Sequence, residues 1–228
     1  MRYTREHIMK AIAGKYKHCM QSKGFIFSVV LSLIFLVASL FINFYAGTYA
    51  AEKASSPVTD IILSNTRAYD LDGIFIYGPL YLWGVVVVLL AVYFPQKIPF
   101  TLKSIALFVV IRSLFITLTH IGPFPAHAIL NVSPQSVIYD FTFGGDLFFS
   151  AHTGLPFLMA LVFWKEKYLR YLFIASSIFF GIVVLLAHLH YTIDVLSAFF
   201  ITYTINHIAQ IFFKKDFTLA ESTVSVQI

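Results

Sequence analysis

The chain has 228 residues, 59% of them hydrophobic and only 12% charged, with a formal net charge of +5. Soluble domains carry about 25% charged residues, so this composition excludes a water-soluble globule and points to an all-α, polytopic membrane protein of one domain. A single cysteine, Cys19, excludes an internal disulfide framework and a multi-cysteine zinc site.

The apolar runs are continuous rather than alternating, which argues against an outer-membrane barrel. The positive charge does not call for nucleic acid: no recognition motif accompanies it, and the basic residues lie between apolar runs, where they orient a membrane protein.

In chain order, residues 1–23 form a basic segment, read as a cytoplasmic tail or an amphipathic helix on an anionic membrane surface. Phe25 to Ala46 is long enough to cross a bilayer and too long for the core of a signal peptide. A polar loop from Glu52 to Asp72 follows. Ile74 to Phe94 is the second span, with Pro79 inside it, and Leu102 to Ile121 the third, interrupted by Arg112. A proline-rich loop, Gly122 to Tyr139, leads toward a fourth span, Leu147 to Trp164. The fifth is Tyr171 to Ala187. After a very short turn, His188 to Tyr191, the sixth runs from Thr192 to Phe213. Residues 214–228 read as a mobile polar tail, outside a membrane domain of residues 24–213.

The N-terminal segment, the connection after span two, the turn after span four and the tail hold 6, 2, 3 and 2 of the 16 Lys and Arg residues. The other side holds Lys53 and Arg67. Positive residues stay inside, so both termini are expected to be cytoplasmic and six spans satisfy that parity. Topology then brings His152, His190 and Asp194 to one level, the non-cytoplasmic ends of their helices, together with Thr119 and His120.

Titratable residues at the margin of a span point to function. His190 and Asp194 are four apart, which sets them on one face if the last helix begins at or just before His190. The carboxylate then fixes the imidazole tautomer and leaves the other nitrogen as nucleophile or base. His152 arrives from another helix. Two histidines and a carboxylate suit in-line phosphoryl transfer. Arg112, inside a span, needs an anion: a lipid phosphate, or Asp60, Asp140 or Asp146 in a structural pair. Interfacial anchoring is the competing reading for each histidine. A metal site is another, with His188, His190, Asp194 and His152 as ligands, but residues two apart converge only if the 188–191 turn is non-helical. His120, His127 and His207 look incidental.

The stretches GGDLFFSAHTG (Gly144 to Gly154), LLAHLHYTIDVLSAFFIT (residues 185–202) and RSLFITLTHIGPFP (Arg112 to Pro125) resemble the sphingomyelin synthase branch of the type 2 phosphatidic acid phosphatase superfamily. Pro57-Val-Thr-Asp60 resembles a fourth motif weakly. The synthase motifs read C-G-D-x-x-x-S-G-H-T, A-H-x-H-Y-T-x-D-V and R-x-x-x-x-x-x-T-x-x-P-x-P. Gly144 and Ala151 depart from the first, Leu189 stands where an acid is frequent, and the third has one extra residue before its proline pair. Val183 and Val184 occupy the Ser-Arg positions of the phosphatase members.

The resemblance implies a six-helix membrane enzyme with a site facing the lumen or exterior. It implies His190 as nucleophile forming a phosphohistidine, Asp194 orienting it, and His152 as acid and then base. It needs no cofactor and no metal. Arg112, Asp146, Ser150 and Tyr191 complete the candidate set as substrate-binding residues. The expected partners are a phospholipid donor of phosphocholine or phosphoethanolamine and a ceramide-like lipid alcohol or water as acceptor. A homo-oligomer is left open. The alternatives are a lipid phosphate phosphatase acting on phosphatidate or an isoprenoid phosphate, and a lipid or metal transporter.

Overall fold

The computed structural model describes residues 5–22, 24–125 and 146–222. His127, Asp140 and Gly144, and most of the proline-rich loop, lie outside the described residues. Among those described, the only regular structure is helical. The helices are α1 (Arg5–Gln21), α2 (Phe25–Lys53), α3 (Asp72–Val88), α4 (Ile98–Leu118), α5 (Ala151–Val162), α6 (Lys167–Leu186), α7 (Thr192–Phe212) and α8 (Lys214–Ala220).

Among the described residues, five helical stretches are long and apolar enough to cross a membrane: 25–53, 72–93, 95–118, 167–186 and 192–212. The expected fourth span is shorter than its apolar run. Helix α5 has 12 residues, about 18 Å at 1.5 Å per residue, and Asp146 to Ser150 approach it without helical structure. The sequence cannot register this, because Leu147, Phe148 and Phe149 are as apolar as a helix interior. Their backbone is satisfied elsewhere: Phe149 and Asp146 offer their carbonyls to Arg112 and Leu147 offers its own to Thr119. A polar group buried away from water needs such a partner.

Helix α4 is the axis of the bundle. Helix α2 lies along it with a buried stripe at Phe25, Ser32, Ser39 and Ala46, spaced by seven. Mostly small side chains at that interval let two backbones approach closely along a left-handed crossing. Helix α5 packs against both α6 and α7. Its Gly154 sits where a Cβ would come within 2.7 Å of the Phe108 ring and 2.8 Å of the Thr202 hydroxyl. Phe100, Phe108, Phe149, Leu158, Met159, Phe163, Phe173 and Ile205 fill the core these helices share.

Helix α3 continues through a π turn, Leu89–Tyr93, and Pro79 lies inside it. It is the least buried of the long helices. Helix α1 docks by its side chains: Lys15 Nζ donates to the Tyr93 carbonyl (2.9 Å) and Tyr16 Oη to the Ala91 carbonyl (2.8 Å).

The polar tail is a correction to the sequence reading. Residues 214–220 are the docked helix α8 rather than a mobile segment. Lys103, counted with the orienting connection after span two, is buried and donates to Asp216 Oδ2 (2.6 Å) and Ser28 Oγ (2.7 Å). A buried ammonium needs a counter-charge, and α8 supplies it.

Candidate active site

One end of the bundle gathers the starts of α5 and α7, the ends of α4 and α6 and the loop of residues 54–71. His152 is the second residue of α5 and Asp194 the third of α7. His190 lies in the turn before α7. That turn is non-helical, and His188 takes a left-handed backbone (φ 54°), which lets α6 reverse into α7 within five residues.

Asp194 is fully buried. Its Oδ2 accepts from the Tyr191 backbone N–H (3.0 Å) and contacts His190 Nδ1 at 3.2 Å. The first contact caps α7, because a carboxylate at the third helical position reaches back to an otherwise orphaned amide. The second sets the tautomer: a carboxylate only accepts, so Nδ1 carries the hydrogen and Nε2 keeps its lone pair. The one carboxylate thus ends the turn and orients the imidazole.

The two histidine motifs are joined through the backbone. Ser150 N donates to the Asp194 carbonyl at 3.0 Å, which ties the start of α5 to the first turn of α7. His152 stacks on Phe75 of α3, ring centroids 4.1 Å apart and planes 23° from parallel, and lies within electrostatic reach of His190 and Arg112. The Ser150 hydroxyl and Asp194 Oδ1 are buried with no hydrogen-bond partner among the described residues.

Of the acidic residues open to Arg112, the described structure pairs it with Asp146. Nη2 donates to Asp146 Oδ2 (2.8 Å) and to its carbonyl (2.9 Å), and Nε to the Phe149 carbonyl (3.2 Å). Arg112 and Asp146, both expected as substrate contacts, are therefore each other's partner. Tyr191, another expected substrate contact, is buried: its hydroxyl donates to the Gly122 carbonyl (2.8 Å) and accepts from Val58 N (3.2 Å). Burial, with the Asp194 and Asp60 charges adding to it, pushes the Tyr191 phenol up and outweighs the Val58 bond, so it stays a donor. At Gly122 a Cβ would fall 2.1 Å from the Ser55 carbonyl oxygen, so only glycine allows this loop-to-loop approach.

His188 faces away from His190. Its Nε2 meets Thr66 Oγ1 at 3.1 Å and its ring packs edge-on against Phe124. The His188–His190 pair does not converge, and no group of three or more His, Cys, Asp or Glu assembles among the described residues.

Asp60 has a role that sequence reasoning missed. It accepts at Oδ2 from Thr192 N (2.7 Å) and at Oδ1 from the Thr192 hydroxyl (2.8 Å) and the Ile62 and Leu63 amides. Partial burial favours its neutral acid, but the Leu63, Thr192 and Ile62 hydrogen bonds outweigh that and hold the carboxyl below its ordinary range. The available signal was Pro57-Val-Thr-Asp60, a turn-forming stretch with an acid where α7 needs an N-terminal anion.

Residues 144–211 match the family model described as PAP2 superfamily C-terminal. The PAP2 match spans 68 of the 228 residues and contains both histidine motifs together with α5, α6 and nearly all of α7. It supports the type 2 phosphatidic acid phosphatase superfamily, whose members are phosphatases and phosphotransferases. No curated protein and no solved structure matches the chain.

Proposed function

We propose that the protein is a membrane-embedded phospholipid head-group phosphotransferase or hydrolase of the sphingomyelin synthase type, working through a phosphohistidine. The observation that carries this reading is the His190 Nδ1 contact to the buried Asp194 carboxylate, which leaves Nε2 as the nucleophilic nitrogen.

Nε2 of His190 attacks phosphorus in line. The bond from phosphorus to the glycerol oxygen breaks, and His152 gives that oxygen its proton, releasing diacylglycerol. A lipid alcohol such as ceramide, or water, then attacks the phosphohistidine. His152 takes its proton, and the phosphorus–nitrogen bond breaks to regenerate His190. Asp194 holds the imidazole and offsets the positive charge it carries as the phosphohistidine. No step calls for a metal.

A phosphodiester donor fits better than a phosphomonoester. A monoester near pH 7 carries a charge of about −1.5 to −2 and calls for more cations than a diester. Among the described residues, Arg112 is the buried Lys or Arg at this end of the bundle, and Asp146 already neutralises it; Lys53 and Arg67 are exposed. In the proposed topology α5 is a short fourth span. Residues 1–23 and 214–228 flank the catalytic unit of residues 24–213 on the cytoplasmic side, and the histidines face the opposite side.

The test uses purified protein in detergent with fluorescent ceramide and either phosphatidylcholine or phosphatidylethanolamine. A phosphosphingolipid product supports transfer, and diacylglycerol alone supports hydrolysis. Release of inorganic phosphate from phosphatidate, with both donors left intact, overturns the diester reading.

A further inference from the structure

The two histidines of the site rest on different kinds of partner. His190 meets the Asp194 carboxylate. His152 meets Phe75 of α3, whose ring stacks on it at 4.1 Å and whose backbone shares a hydrogen bond with it. The Phe75 amide is already spent on the Leu71 carbonyl (2.9 Å). The group left to meet the imidazole is the Phe75 carbonyl, which accepts from a ring N–H.

A carbonyl inside an α-helix is ordinarily closed by the amide four residues further on. Four residues on from Phe75 is Pro79, inside α3, and proline has no N–H to give. Its ring also crowds the carbonyl four residues back and turns it away from the helix axis. The acceptor that Pro79 releases from the α-helical pattern is the one His152 uses. Packing holds this turn in place. Phe75, Gly78 and Pro79 share one face of α3, and each is partly buried. At Gly78 a Cβ would fall 2.6 Å from the Phe180 ring. Helix α3, the least buried of the long helices, thus comes against α6 in the same turn that carries the proline.

A carbonyl accepts and never donates. The ring nitrogen that faces it keeps its hydrogen whether the imidazole is neutral or protonated, so the proton that His152 gives and takes back travels on the other nitrogen. Asp194 orients His190 with a full negative charge, which suits a nitrogen that becomes cationic as the phosphohistidine. A neutral carbonyl orients His152 without adding a charge, which suits a group that must release its proton.

We propose that Pro79 is a positioning residue of the reaction: it frees the Phe75 carbonyl to fix the tautomer of His152, so that one ring nitrogen alone exchanges a proton with the leaving oxygen and the incoming hydroxyl. The chemistry of this assignment rests on the phosphohistidine reading; its structural half rests on α3.

The experiment is Pro79→Ala in the full chain in detergent, which restores the missing amide. The unfolding midpoint is expected to hold or rise, because alanine suits a helix interior far better than proline. Release of diacylglycerol from phosphatidylcholine or phosphatidylethanolamine is expected to fall about tenfold or more. The 4-nitrophenyl ester of the same head group needs no acid, since nitrophenolate departs without a proton, and its burst is expected to change by less than about twofold. Unchanged diacylglycerol release overturns the proposal. So does an equal fall with both donors, the mark of a proline that merely shapes the site. Nitrogen NMR of protein labelled with ¹⁵N-histidine reads the tautomer directly, with the His152 signals assigned by their loss in His152→Gln. One tautomer is expected in the unmodified protein and a mixture in Pro79→Ala. A mixture in the unmodified protein, or one tautomer in both, overturns the proposal. Should the unmodified protein turn over neither donor, the phosphohistidine reading falls instead, and the tautomer measurement still decides whether Pro79 positions His152.

Discussion

The two ends of the bundle use buried charge in opposite ways. At the histidine end the charged groups are held largely by the backbone: Asp194 by the Tyr191 amide, Asp60 by Leu63, Ile62 and Thr192, and Arg112 by the Asp146 and Phe149 carbonyls. At the lysine end the charges meet one another, Lys103 with Asp216 and Lys97 with Glu166 and Glu221. Backbone partners sit at fixed points on helix ends, so they orient a side chain. Side-chain partners neutralise and fasten, and here they fasten α8 to the bundle. The first arrangement leaves a ring nitrogen available for chemistry; the second leaves none.

That contrast breaks most sharply at His190 and Asp194. His190→Ala is expected to abolish lipid turnover, and Asp194→Asn to lower it by about 10²–10⁴-fold, with both variants still eluting as folded protein in detergent. Full activity in either variant sinks the phosphohistidine mechanism. At the other end the expected loss is in stability. Lys103→Ala leaves Asp216 with Ser28 alone and is expected to cost about 3–5 kcal/mol, read as a lower unfolding midpoint. The double variant Lys103→Met/Asp216→Leu should recover much of that loss, because no charge is left buried alone. Activity per folded molecule should be unchanged in both.

Gly154→Ala tests how tightly the two ends are coupled through the core. Its Cβ would press on Phe108 and Thr202, and overpacking of this sort costs about 1–3 kcal/mol. An unchanged midpoint would mean that α5 shifts freely. The smallest effect is expected from Asp60. Its folded carboxyl lies below the ordinary range, so its contribution is fully present above the unfolded value of about 3.9 and is lost as pH falls through the lower folded value. Unfolding midpoints measured from pH 6 down to pH 3 should therefore drop less in Asp60→Asn than in the unmodified protein.

The apolar runs of the sequence located the five long helices of the described residues. The bounds expected for the last helix, Thr192 to Phe213, differ from α7 by one residue, and the convergence of His152, His190 and Asp194 at one end followed from counting spans. Three features were hidden, each for a physical reason. The non-helical Asp146–Ser150 is as apolar as a helix because its hydrogen bonds go to Arg112 and Thr119, residues about 30 positions away. The docking of α8 depends on ion pairs across more than 100 residues. Lys97 and Lys103 count as orienting charges in a sequence whether they face water or lie buried, and both are buried.

Helix α5 is short at one end only. The Ser150 N–H to Asp194 carbonyl bond (3.0 Å) holds its start level with the first turn of α7. From that level the 12 residues of α5 extend about 18 Å and the 21 residues of α7 about 31 Å. The missing length therefore falls at the lysine end, where the Lys97 ammonium donates to the Val162 carbonyl that closes α5 (3.1 Å). A helix that stops early leaves its last carbonyls without partners, and here a long side chain, rather than a further turn of helix, reaches in to meet one of them.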